Sequence, residues 1–170
     1  MSDDGKPNFP NARVAISKAD YDWWTDESKL SRTDWLKDFV AGARKHLLPV
    51  RDRLIPAEDG KEIAPGVTAI FSPGHTVGHT AYLINSGNQS LVFTGDLCHH
   101  HILLLQRPRL EFAFDTDPKQ AVESRIRVFD MLAKNRLALV SYHFPFPGIG
   151  HVSKAGDGFL WHPAPMQMTL

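Results

Sequence analysis

The sequence predicts an α/β fold in one domain spanning residues 1–170, and three observations carry that prediction. Short apolar runs separated by turn residues follow one another from Gly66 to Thr94. A capped helix with one apolar face stands between two of the later strand candidates, the pattern of a crossover connection. A chain of 170 residues that is 42% hydrophobic is long and apolar enough for one core and short for two.

Taken in order, Arg13 to Ser17 reads as a short strand. Ser17 then opens a brief helix, with Asp20 in the reciprocal position of a capping box. Ser31 and Asp34 repeat the signal before a longer helix. In it Leu36, Val40, Ala43 and Leu47 share a face, joined by Trp35 and Phe39, and Pro49 stops it. Val50 to Pro65 is polar and proline-bearing and reads as a connection. Val67 to Phe71, Thr80 to Asn85 and Ser90 to Thr94 are strands, the last two joined by the tight turn Ser86-Gly87-Asn88. Asp117 caps a helix that has Pro118 at its first position, Gln120 closing the box, and Val122, Ile126, Phe129 and Leu132 on one face. Leu137 to Tyr142 is a strand, FPFPGIG is a loop, and His151 to Pro163 adds one or two more strands. Trp23, Trp24, Trp35 and Trp161 read as core or interface aromatics.

Nineteen basic residues balance nineteen acidic ones, which removes the electrostatic argument for nucleic acid or an anionic membrane as partner. Cys98 is the single cysteine, so no internal disulfide staples the fold. No apolar run reaches membrane-spanning length, and MSDDGKPNFPN carries no secretory apolar region, which makes the cytoplasm the default compartment.

The chemistry gathers in SPGHTVGHT and FTGDLCHHH. In a meander the first and third strands run the same way, so His75 and Asp96 sit at one edge of the sheet. A helical crossover makes the next strand parallel, which brings His143 to that edge too. With strands roughly 4.8 Å apart, loop residues on neighbouring strands can converge on one point. His75 and His79 are four apart, but Pro73, Gly74 and Gly78 make this a loop rather than a helix. One of the pair, His75, is then the ligand candidate, and the other holds the loop by hydrogen bonds. Asp96 would otherwise read as a turn-capping aspartate, yet beside two histidines it can share its two oxygens between two ions. Of the run His99, His100 and His101, His99 lies three residues beyond Asp96 and faces the pocket. Cys98 reads as a small buried thiol.

These residues resemble the metallo-β-lactamase superfamily, in which PGHTxGH, a GD loop and a late histidine recur. SYHFPFPGIGHV is most similar to the branch holding methyl parathion hydrolase and acyl-homoserine lactonase-like proteins. The resemblance implies part of an αββα sandwich, with the C-terminal sheet and its helices present and the N-terminal sheet largely missing. It implies a hydrolase of ester, lactone or phosphoester substrates in which two zinc or similar ions activate a shared water. It implies metal ligation by His75, Asp96 and His143, with Asp96 bridging. It also implies a catalytic-site place for Asp96 and for His99, where lactonases of this group put a substrate-contacting tyrosine.

The family's H-x-H-x-D-H motif supplies two ligands to each metal, and this sequence has no such string; before His75 the only histidine is His46. The chain therefore reads as a truncated member, with at most one ion weakly bound, zinc first and manganese or iron as alternatives, and no turnover of its own. A facial triad of two histidines and a carboxylate would also suit iron. The rival reading is a non-catalytic, oligomerising domain with a vestigial single-metal site. In either case an open sheet face and edge predict a homo-oligomer.

Overall fold

The computed structural model describes residues 2 and 5–165, which fall into two compact units, one ending at Ala57 and the other beginning at Glu58. In the first, β1 (Val14–Ile16) leads into α1 (Lys18–Thr25). The Ser17 hydroxyl caps α1 by accepting the Asp20 N–H at 3.1 Å, as the capping-box reading requires. A 3-10 turn over Glu27–Ser31 precedes α2 (Leu36–Leu47), and a second runs from Leu48 to Arg53. Pro49 thus redirects the helix rather than ending helical structure. β2 (Leu54–Pro56) pairs in parallel with β1, Val14 opposite Leu54.

Three expectations for this unit need correction. Ser31 does not cap α2: it ends the 3-10 turn and its hydroxyl donates to the Ser28 carbonyl, while Asp34 accepts the Leu36 N–H at 3.2 Å. Trp35 and Phe39 do not join the buried face of α2. They lie 51% and 59% exposed, edge-to-face against each other at 5.6 Å, because the buried stripe runs through Leu36 and Val40. The stretch from Val50 to Pro65 is not a plain connection, since β2 and β3 (Glu62–Ala64) both lie within it.

The second unit is one seven-stranded sheet in sequence order. After β3 come β4 (Val67–Phe71), β5 (Thr80–Ser86) and β6 (Gln89–Phe93), all antiparallel. A short helix, α3 (Leu103–Gln106), and a long one, α4 (Pro118–Asn135), carry the chain to β7 (Ala138–Val140), which runs parallel to β6. β8 (Ile149–Ala155) and β9 (Gly158–Pro163) complete the sheet as an antiparallel hairpin. Asp117 caps α4 by accepting the Gln120 N–H at 3.1 Å.

Strand alternation divides the sheet into two faces. Ala81, Val92, Leu139, Val152 and Phe159 point toward α4 and close a core with its Val128, Phe129 and Leu132. Ile84, Leu91, Ala138, Ile149 and Leu160 fall on the opposite face by register, and Ile84, Ile149 and Leu160 remain exposed. The parallel crossover sets the ends of β4, β6 and β7 at one edge, as the sequence predicts.

Candidate metal centre

Three loops meet at that edge. The first, Ser72 to His79, is stitched to the start of α4. The Pro73 carbonyl accepts the buried Ser124 hydroxyl at 2.7 Å, the Gly74 carbonyl accepts the Asp117 N–H at 2.9 Å, and the His75 carbonyl accepts the Thr116 N–H at 3.0 Å. Gly74 has φ +133, and a Cβ there would lie 2.1 Å from the Ala121 nitrogen, so only glycine allows this approach of loop to helix.

The second loop carries Asp96 and is keyed to the first through His79. The Asp96 N–H donates to His79 Nε2 at 3.0 Å, which makes Nε2 the acceptor and leaves Nδ1–H to donate to the Ser72 carbonyl at 3.0 Å. His79 therefore holds the loops together, the role predicted for the second histidine of SPGHTVGH.

Asp96 Oδ1 is the focus of the site. His143 Nε2 lies 2.7 Å from it, His99 Nε2 3.3 Å and His75 Nε2 4.0 Å. The Tyr142 hydroxyl donates to the other oxygen, Oδ2. Burial works to raise the Asp96 pKa, but hydrogen bonds from His99, Tyr142 and His143 and the charge of His75 outweigh it, holding the carboxyl far below its ordinary range. The same contact works in reverse on Tyr142, where burial and then the hydrogen bond to Asp96 push the phenol well up.

Each imidazole is itself braced. His75 Nδ1 donates to Asp115 Oδ1 at 3.1 Å, which leaves Nε2 as the nitrogen turned toward Asp96. Asp115 is buried, and its second oxygen faces the guanidinium of buried Arg125 at 3.6 Å. Arg125 also donates to the carbonyls of Leu97, Pro108 and Leu110 at 3.1, 3.0 and 2.9 Å, fastening the loop beyond Asp96 to α4. His99 stacks on Phe112 with ring centres 4.3 Å apart and stands between His75 and His143, at 4.8 and 4.5 Å. Its Nδ1 is buried without a hydrogen-bond partner. His100 takes another part: its Nδ1 accepts the Ile102 and Leu103 N–H groups, both at 3.2 Å, at the start of α3. The His101 ring lies against Phe144 at 6.1 Å.

The structure thus brings three sequence candidates, His75, His99 and His143, around the carboxylate of the fourth, Asp96. Among the described residues, His75, Asp96 and His99 form the His/Cys/Asp/Glu group whose donor atoms all lie within 4.8 Å of one another. Ligands on a tetrahedral zinc stand roughly 3.4 Å apart given bonds of about 2.1 Å, so these donors need only close slightly around one cation. His143 enters through its contact with Asp96 instead. Sequence reasoning missed Asp115, Arg125, Tyr142 and Phe112. Arg125 alone carried a signal, as a charged residue between Ala121 and Val128 on the buried stripe of α4.

No protein-family profile and no curated protein matches the sequence. Solved structures do. A dizinc quorum-quenching lactonase, AidC, in complex with the product N-hexanoyl-L-homoserine, superposes with a TM-score of 0.85 at 29% identity over 97% of this chain and 59% of its own. The hydrolase AbOPH of the β-lactamase superfamily gives 0.82 at 32% identity over 98% of this chain and 60% of its own. The chain carries the metallo-β-lactamase fold. A probable metal-dependent hydrolase of that fold from Staphylococcus aureus, at a TM-score of 0.63 and 21% identity, extends the likeness at the level of the backbone. The metallo-β-lactamase-fold chain spans about 60% of the length of the two more similar structures. No helix among its described residues is long and apolar enough to cross a membrane.

Proposed function

We propose that this chain is the C-terminal portion of a metal-dependent hydrolase of lactones, esters or phosphoesters, holding one part of the metal centre and lacking the turnover of the whole. The observation that carries the reading is the convergence of His75, His99 and His143 on Asp96 Oδ1. It is supported by likeness to a dizinc lactonase over nearly the whole chain.

In this reading His75, Asp96 and His99 hold one divalent cation, zinc before manganese or iron given two nitrogens and one oxygen, and His143 stands against the same Asp96 oxygen. A cation bound there supplies Lewis-acid polarisation of the substrate carbonyl or phosphoryl oxygen and acidifies water. Asp115 keeps the His75 tautomer, Tyr142 orients the Asp96 carboxylate, and the Phe112 ring supports His99. The product in the AidC complex makes acyl-homoserine lactones the first substrates to try.

Elemental analysis after dialysis tests the site: less than one equivalent of zinc is expected, and two tightly held equivalents would refute the half-site reading. No hydrolysis of aryl esters, lactones or phosphotriesters is expected from the chain alone. Fusion to an upstream family segment bearing H-x-H-x-D-H is expected to bring two-metal binding and activity, both lost in Asp96→Ala. A second reading, a self-associating domain without catalysis, is favoured by the apolar residues Ile84, Ile149 and Leu160 left open on the sheet. Absence of metal from the chain, together with failure of the fusion, would select it.

A further inference from the structure

The two oxygens of Asp96 are not alike. Oδ1 faces all three imidazoles, with His143 Nε2 at 2.7 Å, His99 Nε2 at 3.3 Å and His75 Nε2 at 4.0 Å. Oδ2 takes the Tyr142 hydroxyl. A carboxylate that bridges two ions gives one oxygen to each, and here one of the two is already engaged. Tyr142 and His143 are consecutive, so a single loop grips both oxygens of one side chain.

That grip is anchored from both sides. β7 ends at Val140, and the chain then turns: the Ser141 N–H donates to the Gly148 carbonyl at 2.9 Å, and the Ser141 carbonyl accepts the Phe144 N–H at 3.2 Å. The Tyr142 ring stacks on Phe93 with centres 6.2 Å apart and tilts against His143 at 4.4 Å. On the Asp96 side the backbone N–H is held by His79 Nε2 at 3.0 Å. Phenol and carboxylate are thus positioned by separate parts of the second unit. A hydrogen bond to a charged group is worth roughly 10- to 100-fold in an equilibrium constant, and an ion that is to use Oδ2 must first displace this one. His143 is the imidazole left outside the His75–Asp96–His99 donor group. One imidazole and a contested oxygen are too few donors to win that exchange.

We propose that Tyr142 makes this a one-ion centre: its hydroxyl withholds Oδ2, so that Asp96 serves the cation through Oδ1 alone and does not bridge. This role rests on the cation site of His75, Asp96 and His99 proposed above and departs from the bridging that the family resemblance implies for Asp96. Tyr142 acts through Asp96 and is a positioning residue. Where further ligands complete the centre, a second ion enters only by displacing the phenol.

Zinc titration of the full chain against a chromophoric chelator, with Tyr142→Phe alongside, tests this. Phenylalanine keeps the ring on Phe93 and removes only the hydroxyl. The wild-type chain is expected to saturate at one equivalent. In Tyr142→Phe a second equivalent is expected, at least about tenfold tighter than any second equivalent in the wild type. Damage to the fold does not add a binding site, so this gain separates positioning from a merely structural role. Tyr142→Phe/His143→Ala should return to one equivalent. A single equivalent in both chains would overturn this role of Tyr142 while leaving the cation site standing. So would a second equivalent equally tight in both, or one that survives His143→Ala. Zinc held by neither chain would overturn the cation site itself, and the role of Tyr142 with it.

Discussion

The Asp96 backbone N–H donates to His79 Nε2 at 3.0 Å, and His79 in turn is fixed from behind by Ser72. One buried imidazole thus sets the distance between the loop bearing His75 and the loop bearing Asp96. The fit is close: at Gly95, with φ +53, a Cβ would lie 2.9 Å from that same Nε2. Replacing His79 by Ala strands the Asp96 N–H without its acceptor and removes the ring donor to the Ser72 carbonyl. It is expected to cost about 2–4 kcal/mol, read as a lower urea midpoint, and to reduce zinc retention.

Asp115 offers a cleaner separation of stability from ligation. Asp115→Ala leaves the buried Arg125 without its carboxylate and should cost about 3–5 kcal/mol. Asp115→Asn keeps the shape but changes what His75 Nδ1 meets. Zinc affinity, measured by competition with a chromophoric chelator, should fall about 10- to 100-fold in that variant.

Gly74 and Gly87 both have positive φ, at +133 and +59, but only Gly74 is crowded. Gly87→Ala should therefore cost about 1 kcal/mol from the backbone alone. Gly74→Ala adds a collision with the Ala121 backbone and should cost more than about 3 kcal/mol. Equal thermal shifts for the two variants would contradict the packing described between the loop and α4.

Burial pushes the Cys98 thiol up to about 11 from its ordinary 9.0. The folded chain thus binds the thiol proton more tightly than the unfolded chain. The associated stability is complete below about pH 9 and is lost as pH rises toward 11, up to about 3 kcal/mol. Stability curves of the chain and of Cys98→Ala, both taken with chelator, should therefore converge in that window. In native buffer at pH 8, alkylation of Cys98 should wait on unfolding.

The strand-ending positions of His75, Asp96 and His143 were legible because each follows an apolar run, and the capped crossover helix fixed which edge they share. His79 was legible as a positioning residue because two glycines and a proline excluded the helical alternative. Asp115 was not, because its meaning lies in contacts with His75 and Arg125, 40 and 10 positions away, that no local period encodes. Periodicity groups Trp35 and Phe39 with Leu36 and Val40 for a related reason: it reports that a stripe is apolar, but not how far it is buried. The short helix at Leu103–Gln106 has no side-chain cap of the usual kind, and the His100 ring that receives its first N–H groups gave no signal in sequence.

The parallel pairing of β6 with β7 also imposes an order in time. Asp96 and His143 touch at 2.7 Å yet are 47 residues apart in the chain. The β5–β6 hairpin, with its two-residue turn, closes locally and early, whereas β7 can register only after α4 has crossed the sheet. Until then Asp96, in the turn just past β6, has no His143 beside it. The centre is therefore among the last parts of the chain to mature, and any ion it accepts stabilises the finished state rather than guiding the path to it.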